Sequence, residues 1–458
     1  MLIFLKCGSI TAYLPSLIWR YTACMPFYKQ FLWWIIWCSA PTALFAQASN
    51  FGSPYSRFAL GEQQPFSLGT QRAMGGVTTA WYDSVSLNLA NPASLSALRL
   101  TSIEFGAFGN VSRLQTNTAS QYRSHLNFGY LMMGFPVNKR WGTAVGFQPF
   151  AFTNYNIVSQ VDSSFASWRE EYQGKGGINQ LTWSNGFDLG KGFSAGVNLN
   201  VLFGEVLQER RFVYPRPDSL FFLNLRTTDR VRVADAQLSL GLQYRKLLPQ
   251  RVSGKYRQSI TLGLTADVPT NLRASNDFVA ERYTLVGSRL IVSDTVQNLS
   301  GNVGQIKMPL SLSFGAQYSL DNFFLANIEA RYQQWSQFSM FDRPDSLLNS
   351  LHFAGGFQYI PKYNAMGDGA WYKTMRYRVG FRHQSGNLSI KGNAISETGM
   401  TFGLGIPVKR QFSMPFVNLG VELGQRGSLN NGLVRERYTR VVLGLTLNDR
   451  WFVKRKYD

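Results

Sequence analysis

From residue 100 onward the chain repeats one pattern. Apolar residues alternate with small or polar ones, the alternation breaks, and it starts again. In FSAGVNLNVLFG, Phe193, Ala195, Val197, Leu199, Val201 and Phe203 share one face, while Ser194, Gly196, Asn198 and Asn200 share the other. IKMPLSLSFGAQYS and YTRVVLGLTLN read the same way. A period of two places successive side chains on opposite faces of a strand. Counting such segments gives about fourteen, most of them about 10 to 14 residues long, the length a tilted strand needs to cross a bilayer. They lie near 101–112, 121–135, 141–150, 177–188, 192–204, 234–247, 257–268, 305–319, 322–333, 350–360, 373–384, 397–407, 413–425 and 436–447.

The connections alternate too. After even-numbered segments they are mostly tight (PVNKR, DLGKG, SLDN, PVKRQ), and after odd-numbered ones mostly longer and polar, the largest near 151–176, 205–233 and 269–304. Short turns on one side and long loops on the other mark an antiparallel transmembrane barrel. Lipid offers no hydrogen bonds, so each strand edge must be paired, and closure pairs them all. The expected fold is therefore all-β: a transmembrane antiparallel barrel of about fourteen strands over 100–458, preceded by a separate segment at 49–99. An even strand number puts both chain ends on the short-turn side.

Composition agrees. Charged residues are only 16% and aromatics 14% of the 458 residues, whereas a soluble chain carries charge nearer a quarter. Mean hydropathy is −0.13, which does not suit a bundle of membrane helices. The net charge is +20, with the bases spread over strands and loops. Spread charge suits outer-membrane lipid, lipopolysaccharide or a polar lumen, and no nucleic acid is expected as a partner.

MPFYKQFLWWIIWCSAPTALFAQAS reads as an export signal. Lys29 is its positive end, Phe31–Cys38 its apolar core, and Ala46-Gln47-Ala48 a small-residue cleavage site. Residues 1–48 are expected to be removed, with the true start at Met25. Cys7, Cys24 and Cys38 all lie within them. The mature chain then has no thiol for a disulfide, a zinc site or a nucleophile. With three histidines in all, no metal and no cofactor is expected.

Catalytic chemistry finds no support. His125 and His352 face inward on distant strands, His383 faces lipid, and no nucleophile elbow, P-loop or metalloprotease spacing is present. The chain is expected not to be an enzyme.

SPYSRFALG (53–61), RAMGGVTTAWYDSVSLNLANPASL (72–95) and the ending NDRWFVKRKYD resemble the FadL/TodX type of outer-membrane transporters for hydrophobic compounds, in the form found in gliding-type Gram-negative bacteria. The resemblance implies a hatch inside the barrel that contains Asn91, Pro92 and Ala93, with Gly75 and Gly76 supplying tight turns. The same three residues also suit a lead-in that braces the first strand. Pro149, in the third strand, matches the place where such barrels kink and open sideways; it also suits a plain strand end, because proline cannot donate to a ladder. Arg376, Arg378 and Arg382 share an inward face, fit either to hold the acidic head of an amphipathic substrate or to pair with Glu104, Glu329 and Glu422. The function implied is passive uptake of hydrophobic or amphipathic molecules such as long-chain fatty acids by a monomer. The alternative is an outer-membrane docking barrel for secreted proteins, linked to type IX secretion, that moves no small molecule.

Overall fold

The computed structural model describes residues 52–451 apart from 165–166, 215–222, 250–256, 288, 322, 346, 363–370, 391 and 409–414. The expected export signal at 1–48, and the chain end after residue 451, lie outside the described residues.

Fourteen strands close on themselves. In chain order they are β1 (Thr101–Gln115), β2 (Ser120–Pro136), β3 (Trp141–Phe152), β4 (Ser167–Gly190), β5 (Phe193–Val213), β6 (Asn224–Leu247), β7 (Gln258–Asp267), β8 (Ser311–Leu320), β9 (Phe324–Gln333), β10 (Ser350–Tyr359), β11 (Arg376–Gln384), β12 (Glu397–Pro407), β13 (Phe416–Arg426) and β14 (Arg435–Asp449). Each pairs antiparallel with the next, and β14 pairs with β1 from Thr101↔Asp449 to Gln115↔Arg435, which closes the barrel. Every strand expected from alternation is present. The outward face carries Phe105, Leu240, Phe314, Val379 and Leu443, all exposed on the isolated chain. That apolar band is the surface lipid covers.

Three expected outer loops are strand instead. β4 and β6 each run 24 residues and β5 runs 21. Between β7 and β8, the stretch expected as a polar loop is a hairpin, Thr270–Val286 paired with Arg289–Met308. One arm pairs with the outer half of β6. These extensions hold charge on both faces, as the adjacent residues Asp229 and Arg230 of β6 show. Beyond the bilayer nothing enforces apolar alternation, so the periodicity fades while the ladder continues.

The segment before β1 runs through the lumen from end to end, largely without regular structure. At the loop end, the Ser53 hydroxyl donates to Glu436 (2.7 Å) and the Tyr55 hydroxyl donates to the Val434 carbonyl. A short strand, Glu62–Gln63, pairs with Phe152 and Ala151 of β3. A single helical turn at Gly69–Arg72 and a 3-10 turn at Pro92–Ala97 follow. The strand ends Thr101 and Asp449 do lie together at the short-turn end, as expected. The start of the described N-terminal segment does not: it lies at the opposite, loop end. Strand parity governs only where β1 begins, and a chain that fills the lumen before β1 can enter from the far side.

This threading places Arg57 and Arg99, both exposed, on opposite sides of the membrane. A cysteine at position 57 is expected to react with a membrane-impermeant maleimide applied from the loop side, and one at position 99 only from the turn side. Both reacting from one side would contradict the path.

Candidate functional site

Fourteen strands enclose a lumen, and an irregular segment placed there needs two things from the wall: room and hydrogen-bond partners. Inward-facing glycines make the room. Gly142, Gly186, Gly196 and Gly241 are register neighbours on β3 to β6. A Cβ on Gly186, Gly196 or Gly241 would strike Asn91, Pro92 or Ala93, and one on Gly142 would strike Leu95. Gly263 and Gly315 pair across β7 and β8 and lie under Thr79. Gly356 and Gly380 pair across β10 and β11 and lie under Met74 and Gly75. Gly403 and Gly420 continue the belt under Ala73.

Wall side chains supply the partners. Glu329 of β9 accepts from the backbone N–H of Thr78 (2.6 Å) and Thr79 (2.8 Å) and from the Thr78 hydroxyl (3.2 Å). Its other oxygen receives Arg331 at 2.9 Å. Glu104 of β1 accepts from the Leu87 N–H at 2.6 Å. Gln317 of β8 both accepts from the Tyr82 N–H and donates to the Tyr82 carbonyl. Gln243 of β6 donates to the carbonyls of Thr79 and Trp81, and Asn198 of β5 to that of Leu89. Tyr130 of β2 and Thr401 of β12 accept from the N–H groups of Gly69 and Gly75. A buried peptide group left unpaired costs about 1–3 kcal/mol, so this set is what allows the segment to be buried at all.

The expected residues fall as follows. Asn91 caps the 3-10 turn: its side chain accepts from the Ala93 N–H (3.1 Å) and donates to the Thr79 carbonyl (2.6 Å). Pro92 and Ala93 are buried in the glycine bed. Gly75 (φ 76°) and Gly76 (φ 84°) adopt the left-handed conformation that favours glycine. Pro149 pairs with Asn179 of β4, and a bulge follows it at residue 150. On the other side of β3, pairing with β2 stops at Leu131↔Phe147. The wall is therefore broken beside Pro149.

The three arginines do not form one group, because the lumen segment crosses β11 at Gly380 between them. Arg376 lies over the Phe416 ring and 3.7 Å from Asp83. Arg378 donates to Gln358 (2.8 Å) and Asn418 (2.9 Å). On the loop side of the crossing, Arg382 meets Glu397, Glu422 (2.7 Å) and the Tyr438 hydroxyl (2.8 Å). Glu422 also meets Arg440 at 3.2 Å.

Above the lumen segment the wall has two further tiers. The first is polar: a cavity of about 240 Å³ is lined by Gln180, Asn198, Asn200, Gln237, Arg382 and Glu422, among others. Further out, one continuous apolar cluster fills the mouth. It includes Leu60, Ile178, Leu202, Trp335, Phe338 and Leu388, and reaches Phe150 and Ala151 at the broken edge of β3.

Alternation marked Glu104 and Glu329 as inward-facing, and both are buried; it did not reveal that their partners are backbone groups of residues 78–87. The glycine belt was also missed, although its signal was present as one glycine on the small-residue face of most strands.

Gly263→Val is expected to lower stability by about 1–3 kcal/mol or more, because the new side chain must displace the Thr79 backbone. Gly109→Ala, whose Cβ would meet nothing closer than 3.8 Å, is expected to be neutral. The temperature at which the folded barrel loses its fast electrophoretic mobility checks both; equal shifts would contradict the belt.

The family model described as BamG matches residues 28–458. No curated protein matches the chain. Among solved structures, the chain is similar to the CymD monoaromatic hydrocarbon channel (14% identity, TM-score 0.53, covering 86% of this chain and 99% of that one). It is also similar to a Pseudomonas aeruginosa FadL homologue (10%, 0.54, 85% and 100%). The P. putida toluene transporter TodX gives 14%, 0.54, 85% and 100%. At these identities what is shared is the fold, and the FadL/TodX resemblance holds at that level. With the family match running over nearly the whole described molecule, the chain belongs to the BamG family.

Proposed function

We propose that this protein is an outer-membrane channel for passive uptake of hydrophobic or amphipathic molecules, of the size of long-chain fatty acids. In this reading residues 1–48 direct export, residues 49–99 form the hatch, and residues 100–458 form a monomeric barrel surrounded by outer-membrane lipid and lipopolysaccharide. The observation that carries it is the apolar cluster that runs unbroken from the mouth to the edge of β3 beside Pro149. A hydrophobic molecule entering along it avoids the polar tier and leaves sideways into lipid, and the burial of its apolar surface in the bilayer supplies the driving force. Two of the relatives in fold named above, CymD and TodX, are described as a monoaromatic hydrocarbon channel and a toluene transporter, which supports the same reading.

The arginines act in this reading as two separate groups. An amphipathic cargo keeps its chain in the apolar tier and reaches Arg382, on the cavity wall beneath it, with its acidic head group alone; Arg376 and Arg378 hold the turn-side wall.

A second reading, a docking barrel for secreted proteins, is favoured by one feature: the hairpin 270–308 and the long strands β4 to β6 rise well beyond the bilayer on one side. A channel for small hydrophobic molecules does not require them.

Pro149→Val allows β3 to donate at that position and continue its ladder. Uptake of radiolabelled oleate by cells carrying this variant is expected to fall several-fold, with barrel amounts equal. Wild-type uptake no higher than in cells lacking the protein would overturn the channel reading. Deleting residues 49–95 is expected to raise conductance in planar bilayers, and an unchanged value would show that this segment does not block the lumen.

A further inference from the structure

The break in the wall has two rims, and they are not equally covered. On the β3 rim, Glu62–Gln63 adds a short strand against Phe152 and Ala151, and Gln64 donates to the Phe150 carbonyl (2.8 Å). On the β2 rim, residues 120–128 keep a regular ladder with β1, from Gln115↔Ser120 to Ala107↔Phe128, without a bulge or a proline. Their other edge has no backbone partner among the described residues. The contact from this rim to the N-terminal segment is made by a side chain: Arg123 donates to the Gly52 carbonyl at 2.7 Å.

The space beside that rim has a floor and a lower end. On the lumen side the His125 ring meets Phe152, with centroids 6.1 Å apart. At the bottom Phe128 meets Phe147 across the break, at 5.7 Å. The outer and lipid-facing sides remain open. Tyr122, Leu126 and Phe128 point outward there, 69%, 62% and 39% exposed. Arg123, His125 and Asn127 face the lumen.

Toward Leu126 and Phe128, where the rim carries exposed apolar side chains, an unpaired edge is costly, because lipid satisfies none of its N–H and C=O groups. Folded proteins normally blunt such an edge with bulges, prolines or charges. The hairpin arm Arg289–Met308 shows the first device in this same chain, with three register shifts along its length. The β2 rim has neither bulge nor proline, and its one charged side chain, Arg123, is turned to the lumen and held by the Gly52 carbonyl. Its chemistry asks for one kind of occupant: an extended polypeptide, about 4.8 Å away, with apolar residues outward and polar residues inward. The ladder that β3 makes below, at Leu131↔Phe147 to Pro136↔Gly142, sets the direction as antiparallel to β2. A second copy does not fit. Two barrels in one membrane share their up–down sense, and a two-fold axis along the membrane normal would bring two β2 strands together in parallel.

We propose that the β2 rim, Ser120–Phe128, is a strand-addition site that seats an extended segment of a different membrane or surface protein. This goes beyond the channel reading. A seated segment fills the side exit, so occupancy and passage exclude one another.

The test uses the full barrel in nanodiscs and an acetylated nine-residue peptide of alternating Thr and Val. Amide exchange at residues 120–128 is expected to slow at least about tenfold with peptide bound. The same peptide N-methylated at every second residue is expected to leave exchange unchanged. In cells, p-benzoylphenylalanine at Ser124 and at Leu126 is expected to capture one protein, while the same probe at Thr439, on the doubly paired β14, captures none. The captured peptide, made synthetically, must then slow exchange at 120–128. No slowing with either peptide, or adducts only to lipid or to this chain itself, would overturn the proposal. These readouts do not depend on uptake, so a failure of the channel reading leaves them interpretable.

Discussion

A segment without regular structure lies inside a closed barrel, and each of its peptide groups hidden from water must find a partner in the wall. The structure depends on that requirement. Helices satisfy their own backbone and strands satisfy each other, but residues 73–91 do neither. Glu329, Glu104, Gln317, Gln243 and Asn198 do it for them. Amides and carboxylates are suited to the task because they present two oxygens, or an oxygen and a nitrogen, at the end of a side chain. The carboxylate of Glu329 is worth most, since a hydrogen bond to a charged acceptor contributes about 1.5–3 kcal/mol. The glycine belt follows from the same need. Side chains of this length reach a backbone only if that backbone lies close to the wall.

Read from the turn side outward, single strands carry three tiers. On β5 the inward residues run Gly196, then Asn198 and Asn200, then Leu202 and Val206. On β6 they run Gly241, then Ser239 and Gln237, then Val233 and Val231. Glycine seats the lumen segment, amides and hydroxyls line the cavity, and aliphatic residues pack the mouth. A barrel whose lumen conducted water freely would not place an apolar tier across its mouth. One that carried apolar cargo straight down would not place ion pairs such as Arg382–Glu422 and Arg440–Glu422 beneath that tier. On the channel reading proposed above, the layering favours sideways over axial passage, and the break in the described wall lies where the apolar tier meets β3.

Alternation carried the barrel because lipid on one face and lumen on the other impose opposite chemistry at every second residue. It therefore located all fourteen strands. It failed where that constraint lapses. The arm Thr270–Val286 and the outer half of β6 carry arginines and acids on both faces, and no periodicity distinguishes them from a solvated loop. It also failed for the role of inward residues. Gly196 and Asn198 look alike to a pattern of small and polar positions, yet one makes room for Pro92 and the other holds the Leu89 carbonyl. What separates them is contact with a segment about a hundred residues earlier. Asn91-Pro92-Ala93 was visible as a turn because proline and asparagine act locally; its burial beneath three strands was not.

Proline alone does not open a wall. Pro269 and Pro309 interrupt β7 and β8 at the same height, since Asp267↔Ser311 and Thr270↔Met308 flank them. Each proline lacks an N–H, and the flanking pairs put the two prolines opposite one another. The ladder resumes on both sides, and the two strands simply become the hairpin above. Pro149 has no such counterpart. Its neighbour β2 runs on for another eleven residues beyond Leu131, from Tyr130 back to Ser120, with every peptide group intact, while β3 bulges away toward β4. A matched pair of defects heals, and an unmatched one leaves a rim. That asymmetry leaves the β2 edge as an open rim in the described wall, and both the sideways exit and the added strand proposed above rest on it.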